Sequence, residues 1–367
     1  MLNRQHLNVF SRDEELEEAK KLYSKLVIDR HILNDRPSIE CPLRRSNAEV
    51  VENFVNQTLR ATGRDLIIGK SRASQSALVA STLLGPANSG DRKRLYHLLM
   101  TVEMTLQWFL DDLVDSNLVP APIAEALIEQ TTEGFGADAP PSSLRLAQWT
   151  HLGVDLWSLQ RWRNELLQQL RIPCKEGSVA KALIDAEMAT FMVVHDRGAD
   201  FDAYMRIRAN NCGLPIQSFL AAHYLAEASG FPAEMYEAER ETWVELIMRH
   251  SSLPGLLNDL VDYDRDLVEG VDSAVMIVMK EKGVDLHEAF RLVVERYHAL
   301  LARLTVEVLA QAPHTVDHCI LISLLRAVWA IHVLHMEHAD HYLASSFKAF
   351  LQPPCASGRD RRTAAIS

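Results

Sequence analysis

The sequence predicts an all-α protein that folds as a single domain. Apolar residues recur at i, i+3 and i+4 along most of the 367 residues, and this spacing places them on one face of a helix. The alternating pattern of strands, with tight Asn-Gly or Asp-Gly turns, does not occur in the sequence. The connections between the helical stretches are short and rich in Gly, Pro or Ser. These three observations favour one bundle of about ten or more helices.

The predicted helices follow one another along the chain. They span residues 13–29, 47–63, 91–115 and 142–170 in the first half, and 285–312 and 315–350 in the second. The predicted connections lie at residues 85–90, 136–143, 171–177 and 227–234.

These patterns divide the chain into three parts. We expect an N-terminal helical segment at residues 1–46 that packs on the bundle, and the main domain at residues 47–350. The tail at residues 351–367 is rich in polar and small residues, which predicts disorder.

Composition and charge exclude several classes of protein. With 48% hydrophobic and 24% charged residues, the chain is typical of a globular protein. A net charge of −11 and the lack of a dense Lys/Arg patch argue against a nucleic-acid partner. The five scattered cysteines form no CxxC motif, which indicates a reducing compartment. The N-terminus is too charged for a signal peptide, and we expect no apolar run of the ~18–20 residues needed to span a membrane. The sequence therefore predicts a cytoplasmic protein.

A first acidic motif stands in the stretch WFLDDLVDSN, residues 108–117. On a helix, Asp111 and Asp115 lie within about 40° of each other, and Asp112 lies beside them. Three neighbouring carboxylates repel one another unless they face open solvent or surround a cation. Oxygen ligands suit Mg²⁺. The alternative is a helix end that runs into a solvated loop.

A second acidic motif, NDLVDYDRD, spans residues 258–266. Asn258, Asp262 and Asp266 are spaced i, i+4 and i+8, so they drift by only about 80° and form one oxygen-bearing stripe over two turns. This stripe is a second candidate Mg²⁺ platform. The alternative is an exposed helix face with surface ion pairs. Both motifs follow apolar stretches, which suits two stripes that face each other across one cavity mouth.

The two motifs, in this order and at this separation, resemble those of the class I terpene synthases of bacteria and fungi. The resemblance covers roughly residues 50–345. It implies an isoprenoid-synthase-type helical bundle with a central apolar cavity, in which three Mg²⁺ ions bind the diphosphate of a linear isoprenoid. The family's DDxxD motif and NDxxSxxxE triad are matched in position by Asp111, Asp112, Asp115, Asn258, Asp262 and Asp266.

Two positions depart from the second motif of the family. Asp262 stands where the family has Ser or Thr, and Asp266 stands where it usually has Glu. Both replacements keep an oxygen ligand, although the Asp266 side chain is one methylene shorter. They also make the motif similar to the second DDxxD of chain-elongating prenyl transferases. Those enzymes carry paired arginines after their first motif, whereas residues 111–126 contain no arginine.

The resemblance also implies protein groups that contact diphosphate. Arg265 stands where the family has a Lys or Arg that hydrogen-bonds diphosphate. In the stretch YMRIRANNCG, residues 204–213, the diphosphate-sensing arginine corresponds to Arg208, with Arg206 as the competing register. Asn211 is then the linker, and Cys212 is the effector at the helix break.

Without the family, the same stretch is a helix end. Gly213 and Pro215 stop the helix, and the arginines before them are favourable near its C-terminus.

Further site residues follow from the same resemblance. An Arg-Tyr pair near the family's C-terminus corresponds to His341 and Tyr342, and the histidine replaces a permanent charge by a conditional one. Trp108, Phe109 and Trp329 are candidates for the apolar wall that excludes water and faces a carbocation. The alternative for each of the three is an ordinary core residue.

A row of histidines near the C-terminus offers a different metal site. His332, His335, His338 and His341 recur at every third position. Residues at i+3 spacing drift by about 60° per step around a helix, so the four cannot share one face. We therefore do not expect a transition-metal site there.

The resemblance predicts a terpene cyclase. It would ionise farnesyl diphosphate, or next geranylgeranyl diphosphate, with release of diphosphate and formation of a terpene hydrocarbon or alcohol. We expect a monomer or homodimer with three Mg²⁺ ions. Two alternatives remain open, a chain-elongating prenyl transferase and a non-catalytic α-helical domain that binds a partner through solvated acidic faces.

Overall fold

The computed structural model describes the chain over nine ranges. They are residues 47–53, 69–85, 90–115, 121–138, 156–191, 200–232, 234–269, 272–312 and 315–337. Every regular element in these ranges is helical, so the predicted all-α class is confirmed. The predicted N-terminal segment and C-terminal tail lie outside the described residues.

The helices with defined bounds in these ranges are numbered in chain order. Residues 47–53 are also helical. The numbered helices are α1 (Gly69–Leu84), α2 (Asp91–Asp115), α3 (Ala121–Glu133), α4 (Leu156–Leu170), α5 (Val179–Phe191), α6 (Phe201–Asn210), α7 (Pro215–Ala228), α8 (Glu234–Ala238), α9 (Arg240–His250), α10 (Ser252–Glu269), α11 (Ala274–Lys282), α12 (Leu286–Ala310) and α13 (Val316–Glu337).

Helix boundaries agree with the sequence where both are available. The α2 helix occupies residues 91–115 as predicted, and α12 begins and ends within two residues of its predicted limits. The predicted helices at 142–170 and 315–350 are confirmed over 156–170 and 316–337. Residue 315 precedes the second helix, and residues 142–155 and 338–350 lie outside the described residues.

Helix α7 lies at the centre of the bundle. Eleven of its 14 residues are buried, and it packs against α1, α2, α5, α9 and α13. A helix that is apolar on all sides must be covered on all sides. Helix α2 packs on α1, α3, α4 and α7, whereas α10 packs on α6, α9, α11, α12 and α13. The two helices with acidic motifs therefore have different neighbours. Helices α1 and α7, which pack on α2, also pack on α13, which in turn packs on α10.

Helix α13 corrects one expectation from the sequence. Its segment Val316–His335 is long and apolar enough to cross a membrane by composition, with a mean hydropathy of 1.5. The expectation that no apolar run approaches this length is therefore wrong. Of the 18-residue window that meets this criterion, 72% is buried inside the protein, where α13 packs on α1, α7 and α10. A core helix surrounded by other helices needs the same composition as a membrane span.

A buried ion pair joins α2 to α4. Arg163 on α4 is fully buried and donates to the Glu103 carboxylate at 3.3 Å and to the Asn164 side chain at 3.2 Å. Its guanidinium also lies over the Phe135 ring, 4.7 Å from the ring centroid. Burial raises the pKa of Glu103, and the positive charge of Arg163 opposes this rise. The pair thus fixes α4 against the helix that carries the first acidic motif.

We expect Arg163→Leu to destabilise the fold, because Glu103 then stays buried without its cation. The loss should be about 3–5 kcal/mol in the free energy of unfolding, measured by urea titration. The double variant with Glu103→Leu should recover most of this loss, since it removes both charges. Equal stabilities of the single and the double variant would show that the ion pair has no such role.

Candidate functional site

The second acidic motif forms the predicted stripe on α10. Asp262 and Asp266 are only 1% and 7% exposed, and Asn258 is half-buried. The Asn258 Oδ1 atom accepts a hydrogen bond from Nε2 of the buried His335 on α13, at 3.1 Å. The stripe is therefore an inward face of the bundle, and the alternative of a solvated surface face does not hold for these three residues.

Asp259, next to the stripe, anchors the candidate sensor arginine. Its Oδ1 atom lies 2.9 Å from a terminal nitrogen of Arg208 on α6. Its Oδ2 atom accepts hydrogen bonds from the Tyr204 hydroxyl and, at 3.2 Å, from the Ala274 amide. Because Asp259 is only 1% exposed, these donors replace the water that a buried carboxylate loses. The Arg208 side chain is thereby fixed along α10.

The charge of Arg208 is secured by its neighbours. Burial of the guanidinium opposes ionisation, but the carboxylate of Asp259 and, to a smaller extent, that of Asp266 outweigh burial and raise the pKa of Arg208. A cation that is 12% exposed thus stands beside the acidic stripe.

Gly255 makes this arrangement possible. It lies on α10 one turn before Asp259, where the Arg208 side chain crosses the helix. A Cβ atom at position 255 would lie 2.7 Å from Cγ of Arg208 and 2.9 Å from its Nε. Glycine is therefore required here for space, although it lowers the intrinsic stability of a helix.

The turn between α6 and α7 is held by backbone geometry and by Cys212. Helix α6 ends at Asn210, Gly213 has a φ of +66°, and Pro215 begins α7, so the predicted helix stop is confirmed. The Cys212 thiol donates to the Ser251 carbonyl at 3.1 Å, at the junction of α9 and α10. Burial raises the pKa of Cys212 to about 12, so the thiol serves as a donor and not as a nucleophile.

The candidate linker Asn211 follows Arg208 by three residues. Asn211 is buried, and its carbonyl accepts a long hydrogen bond of 3.5 Å from the Arg208 guanidinium. Arg206, the competing register, is exposed. The structure therefore favours Arg208 over Arg206 as the arginine of this site.

The first acidic motif occupies the last turns of α2. Asp111 is half-buried, and the side chains of Asp112 and Asp115 lie outside the described residues. Phe109 packs in the hydrophobic core, and Trp108 is partly buried against this core. The Arg72 guanidinium lies 5.6 Å from the centroid of the Trp108 ring.

The remaining candidates are described only in part. The side chain of Arg265, and His341 and Tyr342 altogether, lie outside the described residues. Trp329 on α13 is 9% exposed and stacks on His332, with ring centroids 4.9 Å apart.

The donor set on α10 suits a hard divalent cation. Its three side chains offer amide and carboxylate oxygens, the ligands that Mg²⁺ prefers, and two of the three are buried carboxylates that gain from a nearby cation. Within the described side chains, no group of three or more His, Cys, Asp or Glu residues is close enough to form a metal site alone. Asn258, Asp262 and Asp266 are the residues of α10 that could hold such an ion.

Three residues of this site are not among those that the sequence predicts. Asp259 is the D of the NDxxSxxxE pattern but is not one of its three predicted ligands, and its role depends on Arg208, which is 51 residues earlier in the chain. The sequence pattern places His335 only in a row of histidines and gives no sign of its contact with Asn258. Gly255 carries one local signal, since a glycine inside a helix often marks a close approach of another group.

Comparisons with known proteins agree with this geometry. Residues 191–303 match the family model described as terpene synthase family 2, C-terminal metal binding. The matched segment runs from the end of α5 into α12 and includes Arg208 and the whole α10 stripe, but not the α2 motif. A search of curated protein sequences gave no match.

Solved structures share the fold at low sequence identity. The linalool/nerolidol synthase from Streptomyces clavuligerus, in complex with 2-fluorogeranyl diphosphate, is 12% identical with a TM-score of 0.54, over 79% of this chain and 97% of that one. A single-residue variant of cucumene synthase is 17% identical with a TM-score of 0.50, over 80% and 94%. The germacradien-4-ol synthase from Streptomyces citricolor is 14% identical with a TM-score of 0.50, over 79% and 94%.

The chain therefore shares the helical fold of these synthases, and residues 191–303 match the metal-binding segment of terpene synthase family 2.

We expect Gly255→Ala to destabilise the protein and to displace Arg208. An alanine in a helix interior normally adds about 1 kcal/mol of stability over glycine, so the clash with Arg208 predicts a change of the opposite sign. The loss should be about 1–3 kcal/mol in the free energy of unfolding, as for an overpacked core. Gly90→Ala is a control for the steric effect alone, because no atom lies within 4 Å of its Cβ position and Gly90 precedes α2 instead of lying inside it. A stabilised Gly255→Ala variant would contradict the packing of Arg208 across α10.

Proposed function

We propose that the protein is a Mg²⁺-dependent terpene cyclase that ionises a linear isoprenyl diphosphate and cyclises the resulting carbocation. The observation that carries this proposal is the position of Arg208, a cation held by Asp259 beside the inward stripe of Asn258, Asp262 and Asp266. This surface combines a positive side chain with oxygen ligands for metal ions. It therefore fits an anion that binds together with divalent cations. The family segment, described as metal-binding, covers the same residues.

In this proposal the protein groups bind and orient the diphosphate. The bond between the allylic carbon and the diphosphate oxygen breaks, and its electron pair leaves with the oxygen. Arg208 and Arg265 donate hydrogen bonds to the departing oxygens, and Tyr342 adds a further donor. Mg²⁺, when bound, supplies positive charge that neutralises the diphosphate as it leaves.

The carbon cation then remains inside the bundle. Trp108, Phe109 and Trp329 present aromatic faces that stabilise a cation and exclude water. Intramolecular attack by a double bond closes a ring, and loss of a proton or capture of water ends the reaction. Asn211 and Cys212, on the turn next to Arg208, transmit diphosphate binding to the start of α7.

The proposed substrate is farnesyl diphosphate, with geranylgeranyl diphosphate as the next candidate. One structural relative binds 2-fluorogeranyl diphosphate, which supports the isoprenyl diphosphate class. We propose three Mg²⁺ ions, held between α2 and α10 by the six residues of the two motifs. We also propose a cytoplasmic monomer or homodimer with neither a membrane span nor a nucleic-acid partner.

The test is product analysis by gas chromatography after incubation with C10, C15 and C20 diphosphates and Mg²⁺. We expect a cyclic hydrocarbon or alcohol from the C15 substrate without any second substrate. Asp111→Ala and Asn258→Ala should each lower kcat by about 10²-fold or more, because each removes a group that positions the diphosphate. Melting temperatures of the variants serve as the control for folding.

Two outcomes would reject the proposal. An elongated diphosphate, formed only when isopentenyl diphosphate is added, would identify a prenyl transferase. If no substrate releases diphosphate, and Mg²⁺ with diphosphate leaves the melting temperature unchanged, the acidic stripes serve another purpose, as in a partner-binding domain.

A further inference from the structure

A buried polar cluster joins α2, α5 and the start of α7. The Glu187 carboxylate on α5 accepts a hydrogen bond from the Gln107 side-chain amide at 2.6 Å and from the Ile216 backbone amide at 3.0 Å. Glu187 and Gln107 are both fully buried. The Gln107 amide nitrogen also donates to Glu103 at 3.2 Å, so its two hydrogens serve two carboxylates.

Glu187 caps α7 from outside that helix. The first amides of a helix have no partner within it, and the residue at the N-cap of α7 is Leu214, whose side chain cannot accept a hydrogen bond. The Ile216 amide is the second residue of α7, and Glu187 supplies the acceptor that it lacks. The turn of residues 211–214 is therefore fixed at its downstream end by a side chain of α5.

Gln107 connects this cap to the first acidic motif. It lies four residues, or about one turn, before Asp111 on the same face of α2. Gln107 also borders the turn itself, because a Cβ atom at Gly213 would lie 3.1 Å from its Oε1. The path from the Ile216 amide through Glu187 and Gln107 thus ends one turn below the aspartates.

The same turn is tied to α10 at its upstream end. Arg208 pairs with Asp259, and the Cys212 thiol donates to the Ser251 carbonyl. Residues 211–214 consequently bridge the two helices that carry the acidic motifs, although those helices have different neighbours.

Stability alone does not account for a second buried carboxylate. Burial and the nearby charge of Glu103 raise the pKa of Glu187 well above its usual range, so an ionised Glu187 is costly here. An apolar side chain of similar size often serves a core equally well or better.

We infer that Glu187 and Gln107 are positioning residues that hold the 211–214 turn, and with it Arg208, in register with Asp111. The inference rests on the proposed function, since register between these groups matters for a ligand that both contact. Loss of the cap lets the turn shift relative to α2, and a misplacement of about 1 Å lowers a rate by about 10²-fold.

The experiment compares Glu187→Leu with Glu187→Gln. Leucine removes the acceptor, whereas glutamine keeps an oxygen for the Ile216 amide and pairs with a reoriented Gln107 amide. We measure hydrogen exchange of the Ile216 amide without metal or substrate, and kcat and KM for the C15 diphosphate. Exchange should accelerate by about tenfold or more in the leucine variant, with kcat lowered by about 10²-fold. The glutamine variant should restore both properties to within about tenfold of the wild type.

Glu227→Gln is the matched control. Glu227 lies on α7 and, like Glu187, is a carboxylate that accepts a hydrogen bond from a side chain of α2, but its partners Arg92 and Tyr96 stand at the other end of α2. The Glu227→Gln substitution should lower the melting temperature while it leaves hydrogen exchange of the Ile216 amide and kcat unchanged. If Glu187→Leu does not fold, Gln107→Met removes the same link from α2. Its kcat should then fall by about 10²-fold, and a kcat within about threefold of the wild type would contradict the inference.

Two results would overturn the inference. One is that hydrogen exchange of the Ile216 amide is unchanged in Glu187→Leu. The other is that this exchange is faster in Glu187→Leu while kcat stays within about threefold of the wild type. Failure of the proposed function has a different signature, since the wild type would then turn over no isoprenyl diphosphate whatever the exchange data show.

Discussion

The buried ion pair between Arg208 and Asp259 is the contact on which the rest of the site depends. It holds a permanent cation on the face of α10 that also carries two buried carboxylates, Asp262 and Asp266. Neither charge sign is suited to an apolar bundle by itself. Their combination matches a ligand of anionic oxygens and divalent cations, which is the chemistry proposed for the substrate. To reach Asp259, the Arg208 side chain must cross α10 at Gly255, where a larger residue would leave no space for it.

The regular geometry of helices made much of this architecture predictable. The spacing of Asn258, Asp262 and Asp266 defines a stripe on any helix, and the apolar residues around it indicate which way the helix faces. The stop at Gly213 and Pro215 was equally readable, because a left-handed glycine and a proline leave few alternatives. These features are local, so the sequence contains them without knowledge of the fold.

Long-range partners were not predictable in the same way. Glu187 meets Gln107 across 80 residues, and His335 meets Asn258 across 77, yet nothing in the sequence near either pair specifies the other member. The composition of α13 does not distinguish a core helix from a membrane span, since a helix covered by other helices is as apolar as one covered by lipid. Tertiary packing decided each of these points.

The proposed function requires that α10 and Arg208 bind diphosphate together with Mg²⁺. Titration calorimetry with inorganic diphosphate measures this directly, with and without Mg²⁺ and without any organic substrate. We expect binding that requires Mg²⁺, weakens by about tenfold or more in Arg208→Met, and disappears in Asn258→Ala. Equal binding in the absence of Mg²⁺, or undiminished binding by the Asn258→Ala protein, would contradict it.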